Sequence, residues 1–487
     1  MQKRLLTLSI CVLAFALSVH AQHDAARQWY EDFKRQVKEE YADFRDRANR
    51  EYADFVAKAW EEYNAMPALP RPKDETVPPV VLPEGDEDKP IDSNPVPIDE
   101  VVTPPEPEPQ PVPVAPVREQ PTEDAEIVFS FYGTQCKARF NREKAFSVGN
   151  RSDEALSQAW TILAGKEYNN MLRDCLSLRA ELQLSDWAYL NLLSAFSVAC
   201  LGKCDEATFL AAFIYCQSGY QMRIGRGGGR LYLLFASRHA IYGKSYFPVG
   251  NERFYVFDGE ADRLDICGAS FPEERPLSLY ITWQQRLAFN ETSPRRLTAK
   301  RYADMAFAVA VNANQMDFYA SYPASEADGD FMTRWAMYAN APMDEMVAGQ
   351  LYPAMRAKLQ GLGELEAVER LLNWVQTAFT YEYDDKVWGG DRAFFAEESL
   401  YYPYCDCEDR SILFTRLVRD LLGLECILVY YPGHLASAVR FAGAVEGDYI
   451  MLGGSRYTVC DPTYIGARVG MTMPGMDNSG ASVILLD

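Results

Sequence analysis

The spacing of apolar residues changes its period several times along this 487-residue chain. In residues 22–66 tyrosine recurs at 30, 41 and 52, and again at 63; phenylalanine recurs at 33, 44 and 55. Val37, Ala48 and Ala59 complete an eleven-residue repeat. Eleven residues make three helical turns at about 3.67 residues per turn, which keeps one aromatic stripe nearly straight. The spacing predicts an amphipathic helix over 22–66, with Glu, Asp, Arg and Lys on its other face, that associates with itself or lies along a partner. Its polar face is mixed in sign rather than basic, which argues against a membrane-surface helix.

The body opens near Ala125, where "EIVFSFYG" alternates as a strand does, and helical spacing follows to about residue 218 ("LSDWAYLNLLSAFSVACLG", "CDEATFLAAFIYCQSGY"). From Tyr220 to Tyr322 the pattern turns to short β-rich runs: "YQMRIG", "RLYLLFAS", "RFYVFDG", "LSLYITW" and "AFAVAVNA". "GRGGGR" at 225–230 lacks the Gly-Lys-Ser/Thr of a phosphate cradle and is expected to be a hairpin loop. Two helices, about 343–360 and 364–379, lead into the last module. There Ile412, Leu413, Leu417, Leu421 and Leu424 follow Cys407 at helical spacing, with Gly423 as the stop. "ECILVYYP", "HLASAVRF" and "YIMLGGSRYTVCD" then read as strands. The expected class is α+β, with a middle α+β region at 125–342 and a C-terminal module at 343–487.

Two segments stand outside this pattern. Residues 1–21 have a basic start, one apolar core and a Val-x-Ala stop, as a cleaved secretory signal does. Cys11 lies inside that core, where a lipoprotein signal would not place its anchor. Residues 67–124 carry 17 of the 28 prolines with acids between them, which predicts a disordered, extended spacer. At ~3.1 Å per residue it would hold the helix up to ~180 Å from the body. No later run approaches the roughly 20 apolar residues of a membrane span. The expectation is an exported protein, secreted or in the periplasm or cell envelope. A net charge of −21 argues against nucleic acid or anionic lipid as partners. The ten cysteines beyond the signal are too dispersed for a disulfide framework.

Chemistry concentrates at "YPYCDCEDRS", residues 402–411. Cys407 opens a helix, where the dipole and unpaired N–H groups favour an anion and lower a thiol pKa. Glu408 and Asp409 oppose a thiolate there, so a nearby imidazole is needed. Of four histidines only His239 and His434 lie in the body, and His434 shares the module with Cys407. A reversal at Glu446-Gly447-Asp448 would set His434 opposite Asp461, ~5 Å away across an antiparallel pair. Gly453-Gly454 is the alternative turn that would break this register. A thiol, an imidazole that deprotonates it and a carboxylate that orients the imidazole would then meet.

These stations resemble the transglutaminase-like branch of the papain-type cysteine enzymes. The resemblance rests on Cys407-Glu408-Asp409 at a helix start, His434 leading a strand and Asp461 in "YTVCDPTYIGARVG". "LLNWVQTAFTYEYD" and "FFAEESLYYPYCDCEDRS" upstream also match, and roughly residues 345–487 are covered. It implies a secreted bacterial protein with Cys407 as nucleophile, His434 as general base and then acid, and Asp461 as its orienting partner. One oxyanion donor would be the Cys407 backbone N–H, with Trp388 as the side-chain candidate. No cofactor or metal is implied, and the partner would be a protein or peptide substrate. Cys405 stands where the family often has glycine, and Leu435 where it often has an aromatic residue.

The segment "CDEATFLAAFIYCQSGYQMRIG" at 204–225 echoes the Cys407 helix and predicts a degenerate second copy, with Cys204, His239 and Asp258 as an alternative site. Other readings give Cys405 a disulfide to Cys460, or gather Cys405, Cys407, His434 and Cys460 around zinc. The rival function is a non-catalytic scaffold or binding module of the same fold, tethered in the cell envelope.

Overall fold

The structure is a computed structural model. It describes residues 2–72, 92–107, 109–114, 116, 118–121, 124–474 and 480–487, with side chains at Gln28 and from Tyr30 onward. The fold is mixed α+β, organised around two six-stranded sheets. Helix α1 (Gln2–Val56) leads into strand β1 (Trp60–Asn64) and, further on, β2 (Ile98–Val102). Helix α2 (Asp205–Gln217) is followed by β3 (Met222–Gly227), β4 (Arg230–Ala236), β5 (Tyr246–Val249), β6 (Glu252–Val256) and β7 (Arg263–Cys267). Helix α3 (Cys407–Leu422) is followed by β8 (Cys426–Tyr431), β9 (His434–Arg440), β10 (Tyr449–Leu452), β11 (Ser455–Cys460) and β12 (Ala481–Leu485).

Both sheets run in the same strand order. The middle sheet is β1-β7-β3-β4-β6-β5 and the C-terminal sheet is β2-β12-β8-β9-β11-β10. In each, a helix precedes a tight hairpin whose two strands lie at the centre, and the last strand returns to the outer side of the first. The upstream edge strand differs in direction: β1 joins antiparallel to β7, whereas β2 joins parallel to β12. The Gly-rich segment supplies the two-residue turn Gly228-Gly229 between β3 and β4, both at positive φ, where only glycine is unstrained.

Three expectations are corrected here. The first helix ends at Val56 rather than 66. Trp60 Nε1 donates to the Val56 carbonyl at 2.6 Å, and the chain then becomes β1. The aromatic stripe is also divided. Tyr30, Phe33 and Tyr41 are about half exposed, while Ala48, Tyr52, Ala53 and Val56 are buried. The Tyr52 ring packs at a tilt on Trp160 with centroids 4.4 Å apart, and Asn49 Oδ1 accepts from Trp160 Nε1 and Gln217 Nε2, both at 3.0 Å. The C-terminal end of α1 is therefore part of the core, not a body held at a distance. The Pro-rich spacer is corrected for its described parts; residues 73–91, 108, 115, 117 and 122–123 of it lie outside the described residues, as do the side chains of the expected signal. Ile98–Val102 contains no proline, so its N–H groups are free to pair with the open edge of β12. Val114 N donates to the Gln217 carbonyl at 2.8 Å at the end of α2.

The run "LSLYITW" forms no strand. Leu277, Leu279 and Ile281 are buried as the alternation requires, but the segment lacks ladder pairing. No helix among the described residues is long and apolar enough to cross a membrane.

Candidate active site

The N-terminus of α3 is built around a carboxylate cap. Asp406 accepts from the Glu408 and Asp409 amides (3.2 and 3.4 Å), and Asp409 accepts from the Asp406 amide (3.2 Å), which closes a capping box. Asp409 also accepts from Phe394 N at 2.9 Å, anchoring the preceding loop. Cys407 is thereby placed in the first turn, half-buried, against the start of β9. Ser411 Oγ donates to the Leu435 carbonyl at 2.9 Å and ties α3 to β9.

His434 and Asp461 are each about 1% exposed, and His434 Nε2 lies 2.9 Å from Asp461 Oδ2. The register differs from the expected one. β10 and β11 form a hairpin turning at Gly453-Gly454, and β11 inserts between β10 and β9 with Ser437 opposite Cys460. Asp461, one residue past the end of β11, still reaches His434. Its other oxygen, Oδ1, accepts from Thr463 N (2.9 Å) and Tyr464 N (3.1 Å). Gln376 Nε2 donates to the carbonyls of Asp461, Tyr464 and Ala467, which holds this loop in place. His434 Nδ1 is buried and has no hydrogen-bond partner. With Nε2 beside the carboxylate, Nδ1 is the nitrogen left to exchange a proton.

Cys407 and His434 line one cavity of about 490 Å³, with Tyr381, Tyr383, Trp335 and Asp391 among its walls. The Cys407 thiol is pushed well above its ordinary pKa, first by burial and then by the charges of Asp406 and Glu408; a hydrogen bond from the Leu435 backbone opposes them. The expected lowering by the helix start is overturned, because burial and flanking carboxylates outweigh the dipole. Glu408 is itself pushed well above the carboxylate range by burial and by Asp391. It accepts from Trp335 Nε1 at 2.6 Å, and Arg334 spans Asp391 (2.6 and 3.0 Å) and Glu408 (3.4 Å).

Tyr381 was not singled out from the sequence. It lies in "LLNWVQTAFTYEYD", where Thr380-Tyr381 pairs in parallel with Tyr404-Cys405, two residues ahead of Cys407. Its hydroxyl is buried without a partner, and Cys407 is the largest charge influence on it after burial itself. Trp388 instead packs on Phe394 and Tyr402 beneath Arg392, away from the cavity walls.

Cys405 and Cys460 are buried free thiols, so the expected disulfide is absent; Cys405 Sγ accepts from Arg410 Nε at 3.4 Å. The thiol-imidazole set is not gathered at ligand distance among the described residues. Two carboxylate groups are: Asp384, Asp391 and Glu408, and Asp406, Glu408 and Asp409. Arg334 and backbone N–H groups already meet them.

The middle sheet carries a counterpart of the site. Setting the hairpin pair Gly227↔Arg230 on Tyr431↔His434 puts Arg230 in the place of His434. The next pairing, Leu234↔Val256 against Ala438↔Val459, puts Asp258 in the place of Asp461. Asp205, the first residue of α2, accepts from Leu231 N at 2.9 Å, as the Cys407 sulfur does from Leu435. Arg230 Nη2 lies 3.8 Å from Asp258 Oδ2, and both line a cavity of about 640 Å³ with Asp205 and Cys204. His239, three residues past the end of β4, does not line this cavity, so Cys204, His239 and Asp258 are not brought together. Burial lowers the His239 pKa to about 4, and its Nε2 accepts from Leu279 N at 3.3 Å. No family model, curated protein or solved structure matches this chain.

Proposed function

We propose that Cys407, His434 and Asp461 form the site of an exported, transglutaminase-like cysteine enzyme that transfers acyl groups from peptide, isopeptide or glutamine amides. The observation that carries this reading is the buried His434–Asp461 pair with an unpartnered Nδ1 lining the same cavity as the Cys407 thiol. Asp461 holds the Nε2–H tautomer, which leaves the Nδ1 lone pair to accept a proton. The thiol is protonated at rest, so proton transfer to Nδ1 accompanies attack on the amide carbonyl. A carbon–sulfur bond forms and the carbonyl oxygen becomes an oxyanion, met by the Cys407 N–H and the unpartnered Tyr381 hydroxyl. Nδ1–H then protonates the departing amine, leaving a thioester. Water or a second amine, deprotonated by Nδ1, releases the acyl group and restores the thiol. The shared strand order supports reading residues 125–342 as a degenerate copy of the same module, with carboxylate, guanidinium and carboxylate where the C-terminal site has thiol, imidazole and carboxylate.

One observation favours the rival reading of a non-catalytic binding module. Burial, Asp406 and Glu408 all raise the thiol, which opposes a reactive thiolate. Mass spectrometry of the protein with an amide-bearing peptide library, with and without added amine, separates the two. An enzyme yields cleaved or amine-adducted products that vanish in Cys407→Ala, together with labelling of this thiol by an electrophile. Products of equal yield from the variant would remove Cys407 from the mechanism.

A further inference from the structure

The wall of the Cys407 cavity is completed by a distant part of the chain. Leu69, Pro70, Arg71 and Pro72 line it beside Cys407 and His434. They belong to the run Met66–Pro72, "MPALPRP", whose alternate prolines favour extended backbone. The run is held mainly through main-chain groups. Met66 and Tyr246 exchange two hydrogen bonds (2.7 and 3.4 Å), and Gly243 N donates to the Leu69 carbonyl at 2.8 Å. Arg71 Nη1 reaches the Asp391 carbonyl at 3.3 Å. The rest of the wall holds the acids Glu326, Asp391, Asp406 and Glu408 against a single cation, Arg334. Arg71 adds a second positive charge on the side where the wall is acidic.

This is how an extended peptide binds a cleft: backbone pairing to an exposed edge, with side chains sampling the pocket. We propose that residues 66–72 are an internal occupant of the substrate cleft, and that the substrates are extended polypeptide segments carrying a basic side chain beside proline. The proposal rests on the acyl-transfer reading of Cys407 for the word substrate; occupancy of the cleft stands independently of it. Prolines at 67, 70 and 72 lack N–H groups, so the strap makes few hydrogen bonds. Leu69 and Arg71 also keep exposed outer faces. Such a segment opens at low cost. Its tether gives it an effective concentration on the order of millimolar, so a substrate must exceed that competition to enter.

The test uses the full-length chain with Cys407→Ala, so that binding is read without turnover. The probe is a fluorescent synthetic peptide of the sequence 66–72, followed by anisotropy. It is expected to bind at least tenfold more tightly when the strap carries Leu69→Asp and Arg71→Asp. Arg71→Lys keeps the strap's charge and is expected to leave probe affinity within twofold of the unaltered strap. A probe peptide with glutamate in place of its arginine is expected to bind roughly fivefold more weakly to the double variant. Equal affinity for altered and unaltered straps, or no saturable binding to either, overturns the proposal. With Cys407 restored, the double variant is expected to be alkylated at least tenfold faster by a peptide-sized electrophile. If this thiol resists alkylation in every variant while the anisotropy difference holds, the nucleophile assignment fails and the strap assignment survives.

Discussion

The two sheets share a strand order and differ in what stands at three matching positions. In the C-terminal sheet an imidazole and a carboxylate meet, each about 1% exposed, and a thiol lines the same cavity as the imidazole. In the middle sheet Asp205, Arg230 and Asp258 occupy those places, with Arg230 44% and Asp258 88% exposed. The comparison separates frame from chemistry. A helix start aimed at the first residues of the second strand of a central hairpin arises in both, because both satisfy the same packing of one helix on a curled sheet. What differs is water. Asp461 is enclosed by the loop that Gln376 holds, whereas Asp258 faces solvent, where a guanidinium pair contributes little.

The largest effect that would break this contrast lies at the matched positions His434 and Arg230. His434→Ala is expected to lower acyl transfer by roughly 10²- to 10⁴-fold, and Arg230→Ala to leave it within about twofold. Turnover of a peptide identified from the library checks both. Comparable losses from the two would mean that the middle site takes part in the reaction.

The regions should also soften at opposite ends of the pH scale. Burial lowers His239 to about 4, so its neutral form stabilises the fold above the unfolded value of ~6.5; that stability is lost as pH falls toward 4. Burial raises Glu397 and Glu398 to about 7 beside the C-terminal site. Their protonated forms stabilise below ~4.5, and that contribution is lost as pH rises through 7. Each limb is on the order of 3 kcal/mol per group. Hydrogen exchange between pH 4 and 8 is expected to loosen β4 in acid and the segment around Ala396–Tyr401 toward neutrality. His239→Gln should flatten only the acid limb.

A smaller effect sharpens the role of the flanking acids. Asp406→Asn keeps a good cap but removes the negative charge that acts most strongly on the thiol. The alkylation profile of Cys407 should move to lower pH, with the rate at pH 7 rising roughly three- to tenfold. An unmoved profile would leave burial and Glu408 as the causes. The smallest effect concerns the caps themselves. Asp406 caps α3 with two hydrogen bonds, while Cys204 caps α2 with no side-chain bond. Cys204→Ser is expected to stabilise the protein by about 0.5–1 kcal/mol in urea unfolding.

Much of the candidate site was legible because its signals are local. Helical spacing after Cys407, the stop at Gly423 and His434 leading a strand are short-range patterns. Their physical causes lie within a few residues. Asp461 was matched to His434 through a turn at 446–448 that does not pair them. The contact survives because β11, after turning at Gly453-Gly454, lies directly on β9. Tyr381 was missed because a tyrosine 26 residues upstream carries no mark of its position; only the pairing with Tyr404-Cys405 sets it by the thiol.

By itself the sequence determined the α+β alternation, the helix that opens at Cys407 and the three residue types whose chemistry fits together. Periodicity and capping act through nearest neighbours, so they can be read without the fold. Only the tertiary structure decided that α1 docks on the helix Asp153–Leu163, that Pro-rich segments complete a sheet edge and a cavity wall, and that the thiol is raised rather than lowered. Those outcomes depend on which backbone edges stand open and on which charges are shut away from water. Both are set by parts of the chain hundreds of residues apart.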